Sequence, residues 1–327
     1  MFDELIDIKE NNIFYLDYEL LSILLKDMTT GKNILWGTDN YINHGMNYSH
    51  NCEIKMEQIV MFNGNVIKPR IKKSKTEQIK RVKDKGEVFT PSWICNKQNN
   101  IIDSEWFHRK NVFNTEICGG WKTNKNKIAF PNDRNWKDYI KNKRIEITCG
   151  EAPYLVSRYD TTTGKVIQVT DRIGLLDRKL RIVNENVDDI DEWIKYALLC
   201  YKSVYGYEWQ GDSLLIAREN MLYTFCDNYK YKFNSLPSKE VLREVAFIII
   251  WNIFQMDGLK YVIPYSCKNE EIINYTLFGE EKEKIECEGC KRGNCHLHNG
   301  IYVKVMNWDT NRKIKFISLI KLNKSKR

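Results

Sequence analysis

Several absences bound what this chain of 327 residues can be. No apolar run approaches the roughly 20 residues that a membrane-spanning helix needs. The longest, Val245 to Phe254, is about half that length and is broken by Asn252. Met1 leads straight into Asp3, Glu4 and Asp7 rather than into an apolar leader, so a cytoplasmic location is expected. The 10 cysteines are scattered too widely for a disulfide framework, and in a reducing compartment any that cluster are expected to bind metal. No internal repeat or low-complexity tract occurs. Proline is scarce, and its six copies, Pro69, Pro91, Pro131, Pro153, Pro237 and Pro264, each stand alone.

What is present is a 43% hydrophobic, 12% aromatic composition, enough for one large domain or two unequal ones. The net charge of +8 is unevenly placed. Nine basic residues against two acidic ones fall between Asn65 and Gly86, and seven basic residues with no acid run from Arg312 to Arg327, leaving the rest of the chain acidic. A basic segment of this kind is either a solvated linker or a phosphate-contacting surface. On the second reading Lys72, Lys73, Lys75, Lys80 and Arg81 contact double-stranded DNA.

Periodicity divides the chain into three regions: 1–85, with a helix near Tyr18 to Leu25 and the basic segment; 86–265, with alternating strands and helices; and 266–327, rich in Cys and His. Strands are expected at Arg144 to Thr148, Ser203 to Glu208 and Asn252 to Met256. The helices between them include one opened by Asp188, Asp189, Asp191 and Glu192, one capped by Asp212, and one starting after Ser238. A polar turn or loop insertion is expected at Asp160 to Gly164. The pattern predicts a parallel α/β sheet with its ligand site at the carboxyl edge. The groups that a nucleoside-containing cofactor needs stand at the strand ends: the small-residue turn Cys149-Gly150-Glu151-Ala152, Glu208 and Asp257.

These motifs resemble a family. Gly86-Glu87-Val88-Phe89-Thr90-Pro91 is similar to the leading motif of amino-group DNA methyltransferases, and Glu146 through Leu155 to their cofactor loop. Tyr207-Glu208 with Ala217 to Asn220 is similar to the second motif, and Asn252 through Leu259 to the third. The whole chain resembles the proteins called restriction endonuclease subunit M. The resemblance implies a Rossmann-like class I methyltransferase sheet, complete or partial, with an S-adenosylmethionine pocket lined by Phe89, Thr90 and Pro91. Glu146, Cys149 and Gly150 would lie at the amino-acid end of the cofactor, Glu208 at the ribose and Asp257 at the adenine. Two features depart from the family: Ala152 stands where a second glycine is usual, and about 60 residues separate Glu146 from Glu208 where about 20 suffice in a compact unit, so an insertion must loop out.

The catalytic element of such enzymes, Asn/Asp/Ser-Pro-Pro followed by an aromatic residue, holds the target amino group of a flipped base. With every proline isolated, that element is absent. No Pro-Cys pair marks a cytosine-C5 enzyme, and no Asp…Glu-x-Lys core marks a nuclease. The expectation is a split enzyme: this chain as the cofactor-binding subunit of an adenine-N6 DNA methyltransferase in a restriction-modification system, with a partner chain supplying Asn-Pro-Pro-Tyr and target recognition. Adenine is preferred over cytosine-N4 through the resemblance alone. The alternative is a catalytically inactive methyltransferase fold that binds DNA or acts as a scaffold.

Cys287 and Cys290 form a Cys-x2-Cys knuckle, followed by Cys295, His296 and His298. Two thiolates from the knuckle with Cys295 and His298, or His296, would complete a tetrahedral structural Zn²⁺ site with no open catalytic position.

Overall fold

The computed structural model describes residues 10–276 and 279–320, and between 270 and 284 the backbone alone. Two short helices, α1 (Glu10–Leu16) and α2 (Tyr18–Leu24), open it. Asp17 caps α2 through the Glu19 amide and also binds Arg243, which tethers the N-terminal region to a helix more than 200 residues further along. Irregular turns lead to α3 (Lys75–Lys85), held between a Ser74 cap and left-handed Gly86, and then to α4 (Ser92–Phe107). A hairpin of β1 (Asn114–Ile117) and β2 (Gly120–Thr123) and the short α5 (Trp136–Lys141) precede the sheet.

The sheet has three parallel strands in the order β3 (Arg144–Glu146), β4 (Val204–Glu208) and β5 (Ile253–Gln255). The expected insertion between the first two is real, since α6 (Leu175–Asn186) and α7 (Ile190–Lys202) fill the crossover. The second crossover is α8 (Gly211–Phe233) and α9 (Lys239–Asn252). Asp189 caps α7 and Ser238 caps α9. Asp212 does not cap α8: it lies inside the first turn, and its carboxylate is taken by Tyr41, Arg81 and Lys73.

Strand alternation sets the two faces of the sheet. Val204, Gly206 and Ile253 face the helices, whereas Tyr207 and Phe254, paired across β4 and β5, turn to the other face. There they meet Met256 and Ile263 from the segment after β5, and Val303, Val305 and Phe316 from the C-terminal part. That part comprises the hairpin of β6 (Glu270–Thr276) and β7 (Gly279–Ile285), the single-turn α10 (Glu288–Arg292) and the hairpin of β8 (Lys304–Asn307) and β9 (Arg312–Lys315).

The larger apolar core runs continuously from Ile13 to Ile253, so residues on both sides of position 85 share it. Arg178 of α6 is buried against α4, donating to Asp103, Asn96 and Asn100, and Asp103 also accepts from the Tyr139 hydroxyl. The fold is thus a mixed α/β structure with a small parallel sheet and flanking helices.

Candidate functional site

A cavity of about 580 Å³ opens at the carboxyl ends of β3 and β4. It is of the size that small-molecule sites occupy, and its position is where open parallel sheets hold ligands. Its floor is the turn after β3. In this turn Thr148, Gly150 and Ala152 all have left-handed backbones, with φ of +47°, +53° and +63°. Only Gly150 adopts this without a steric cost, and a β-branched residue such as Thr148 is rare there. The turn is held by its neighbour strand: the Cys149 amide donates to the Tyr207 carbonyl, and the Gly150 amide to a Glu208 carboxylate oxygen at 2.8 Å. Strain of this kind collects at ligand sites because the surrounding structure must fix it.

Glu146 and Glu208 stand at the ends of adjacent strands, both buried, both lining the cavity. Burial raises the Glu146 carboxyl well above its ordinary range, against the opposing pull of amide donors from Tyr154 and Leu155. Glu208 is also raised by burial, with amides of Gln210, Gly150 and Trp209 pulling the other way. A carboxylate offers about four acceptor positions. Glu208 uses three of them, which leaves capacity for a hydroxyl. Burial raises the Cys149 thiol strongly, so it lines the cavity as a neutral group.

Phe89 and Thr90 also line the cavity, and Phe89 lies over Gly150, 3.6 Å from where a Cβ would stand. Two expected residues do not line it. Pro91 is where the chain turns into α4. Asp257 sits beyond β5 with its carboxylate turned into its own loop, accepting from the Leu259 and Lys260 amides. In its place the cavity gains aromatic residues that sequence reasoning did not select. Trp209 and Tyr265 meet edge-to-face at 5.3 Å, and both donate to the Gly37 carbonyl, at 2.7 and 2.8 Å. Trp209 was signalled by following Glu208 directly, and Tyr265 only as part of Pro264-Tyr265, the nearest approach to a Pro-Pro-aromatic element but too early in the chain for the catalytic strand; the 37–38 segment carried no signal.

The second site is a metal-ligand cluster. Cys267, Cys287, Cys290 and His298 bring their ligand atoms within 4.8 Å of one another. Each of the three sulfurs lies 3.6 Å from His298 Nδ1. Bonds of about 2.3 Å to sulfur and about 2.0 Å to nitrogen at a tetrahedral angle place S and N roughly 3.6 Å apart, so the spacing is that of a tetrahedral metal site. Gly289 is required between the two knuckle cysteines, because a Cβ there would stand 2.6 Å from the His298 amide nitrogen and Nδ1.

The sulfurs also receive outer hydrogen bonds, from the Asn299 amide to Cys287 at 3.3 Å and from Lys260 Nζ to Cys290 at 3.4 Å. Such donors stabilise thiolates and orient them toward a metal. At Cys287 burial opposes ionisation, but amide and His298 contacts outweigh it and bring the thiol down to about 6. The expected ligand Cys295 is not in the cluster. Its carbonyl accepts from the Tyr302 hydroxyl, which in turn accepts from the His298 amide, so Cys295 shapes the turn that presents His298. His296 is exposed and also outside the cluster.

The basic segment divides. Lys72, Lys75 and Lys80 are exposed. Lys73 and Arg81, expected at a phosphate backbone, are instead buried: Arg81 binds Asp212 at 2.8 Å, Glu87 at 3.2 Å and Glu77, and Lys73 lies 3.4 Å from Asp212. Buried carboxylates claim their charges. Of the C-terminal basic run, Arg312, Lys313 and Lys315 lie in β9, and Lys321, Lys324, Lys326 and Arg327 lie outside the described residues. Among the described residues no helix is long and apolar enough to cross a membrane.

No protein-family model matches this chain, and no curated protein or solved structure is significantly similar to it.

Proposed function

We propose that this chain is the S-adenosylmethionine-binding subunit of a split adenine-N6 DNA methyltransferase belonging to a restriction-modification system. The observation that carries the reading is the cavity itself. Residues of three separately noted motifs, Phe89 and Thr90, Glu146 to Gly150, and Glu208, line one cavity at the carboxyl edge of a parallel sheet. Glu208 has acceptor capacity left for one ribose hydroxyl, Trp209 and Tyr265 offer aromatic rings beside which a purine could lie, and the β3 turn brings backbone close to the amino-acid end. The cofactor would supply an activated methyl group, and the residues here would bind and orient it.

The free edge of the sheet supports the split. The sheet has three strands, β3 is an edge strand among the described residues, and its Ile145 is 47% exposed, with Ile147 just beyond it 65% exposed. A partner strand bearing Asn-Pro-Pro-Tyr would add to this edge beside the cofactor turn, giving the protein partner an address. Double-stranded DNA is the proposed substrate, and Zn²⁺ the proposed structural metal of the Cys3His cluster.

Titration calorimetry of the purified chain with S-adenosylmethionine tests the reading. Saturable binding is expected, with methyl transfer to DNA appearing only once the partner chain is added. Robust transfer by this chain alone would sink the split. No binding with the partner present would favour an inactive, DNA-binding or scaffolding methyltransferase fold, a reading to which the displaced Asp257 already lends weight.

A further inference from the structure

A second cavity, of about 700 Å³, is built from the same two segments as the first. Residues 37–38 and 85–90 line the first, whereas residues 39–44 and the start of α3 line the second. Asn40 in the wall of the second donates to Gln210 Oε1 in the wall of the first, at 3.2 Å. The charges here divide into those already matched and those left over. Lys73 and Arg81 are held by Asp212, Glu77 and Glu87, and Asp39 is held by His50 at 2.9 Å. Lys68 and Lys80 also line the cavity, both are exposed, and neither makes an ion pair among the described residues. Lys80 lies one helical turn beyond Thr76, another lining residue, so the two share a face of α3.

Beside these lysines stands Phe62, a fully exposed phenyl that lines the cavity. A single exposed apolar side chain is ordinary on a protein surface, but this one is aimed. Met61 before it has a left-handed backbone, φ +57°, a conformation that a non-glycine residue adopts only where its surroundings fix it. Asn11 fixes it from both sides, its Oδ1 accepting from the Met61 amide at 2.6 Å and its Nδ2 donating to the Met61 carbonyl at 3.3 Å. Gly64 makes room for that amide, since a Cβ there would collide with Asn11. A second ring, His44, lines the cavity from the other segment, packed on Tyr48 with centroids 5.3 Å apart. An exposed ring held rigidly between unmatched lysines is the combination by which proteins bind unpaired nucleic acid strands, the ring stacking on a base and the cations following the phosphates.

We propose that this second cavity holds a nucleotide of an unpaired DNA strand, its base stacked on Phe62 and the adjoining phosphates met by Lys68 and Lys80. In a duplex each base is covered on both faces by its neighbours, so only an unpaired base presents a face to such a ring. The proposal rests on the DNA-binding part of the reading above and is independent of the cofactor. It gives the strand opened around a target base a place to lie next to the first cavity. Stacking accepts any base, so the site contributes affinity for opened DNA without reading its sequence.

Fluorescence anisotropy of the full chain with three labelled probes tests it: a single-stranded oligonucleotide, a fully paired duplex, and the same duplex with a short unpaired stretch at its centre. Phe62→Ala should weaken both unpaired probes by about tenfold or more and leave the paired duplex within about twofold. It removes no charge, so the salt dependence should not change, and Phe62→Trp should keep the affinity. Lys68→Gln combined with Lys80→Gln should instead reduce the single-strand slope of log affinity against log salt by about 1.4, at about 0.7 per phosphate contact. An unchanged melting temperature verifies that the variants fold. Equal weakening of paired and unpaired probes by Phe62→Ala, or no weakening of either, would overturn the proposal. So would loss of partner-chain binding with DNA binding intact, which would make Phe62 a protein contact. Wild type that binds the paired duplex but neither unpaired probe would refute this site alone, whereas wild type that binds no DNA, with the partner present, would refute the DNA-binding reading as well.

Discussion

A thiolate belongs to a tetrahedral site only when its sulfur reaches the common centre, and at the scale of single residues this separates Cys267 from Cys295. Cys267 Sγ lies 3.6 Å from His298 Nδ1, like the sulfurs of Cys287 and Cys290, whereas Cys295 contributes a backbone carbonyl to the turn behind His298. Cys267→Ser should therefore lower the metal content from about one per chain to less than about 0.2 and destabilise the fold, since structural zinc is folding free energy. Cys295→Ser should keep the metal. Elemental analysis of tag-free protein reads both, and retention of full zinc by Cys267→Ser would overturn the assignment. The metal site also touches the cavity: Tyr265, two residues before Cys267, supplies part of its aromatic wall. Chelation is thus expected to weaken the proposed S-adenosylmethionine binding as well as lower the melting temperature, and calorimetry before and after metal removal checks it.

At the scale of elements, α4 shows how a distant loop starts a helix. Its N-cap position holds Pro91, which has no capping side chain. The Ser92 amide is instead taken by Asp160 Oδ2 at 2.7 Å, 68 residues away, and Thr161 Oγ1 donates to the Thr90 carbonyl. The polar turn read in the sequence at Asp160 to Gly164 is therefore the cap of the helix that follows the Phe89-Thr90-Pro91 strip. Burial raises the Asp160 carboxyl, but donors from Thr162, Ser92 and Thr163 prevail and bring it down to about 2, from an ordinary 3.8. A carboxyl lowered on folding contributes stability that is present above its unfolded value and lost as pH falls through the folded one. Asp160→Asn should cost about 2 kcal/mol at neutral pH. That deficit should close between about pH 4 and pH 2 as the wild-type carboxylate protonates. Denaturant melts across that range measure it, and a deficit independent of pH would show that the aspartate acts through shape alone.

For the molecule as a whole, the basic segment splits into a surface part and an internal part with opposite expected behaviour. Lys75 and Lys80 are exposed on α3, so replacing both by Gln should reduce the slope of log affinity for DNA against log salt by about 2. An unchanged slope would leave α3 as a solvated helix. Arg81 of α3 and Lys73, just before its Ser74 cap, both meet Asp212 at the start of α8. Removing either leaves a buried carboxylate short of a partner, for which a loss of about 3–5 kcal/mol is expected, read as a lower melting temperature with or without DNA.

The sequence by itself determined the strands that build the sheet, the capped helices α7 and α9, and the turn Cys149 to Ala152 with Glu208 beside it. Each of these is written in nearby residues, through alternation, helical spacing, caps and small-residue turns. Only the tertiary structure decided that Lys73 and Arg81 turn inward, that Asp257 closes its own loop, that Cys267 replaces Cys295, and that Thr38, Glu87 and Tyr265 complete the cavity. The reason is physical. Periodicity and capping report which residues leave water and where an element begins. The partner that meets a buried charge or a thiol is set by segments brought together from tens or hundreds of residues apart, and no local pattern encodes that meeting.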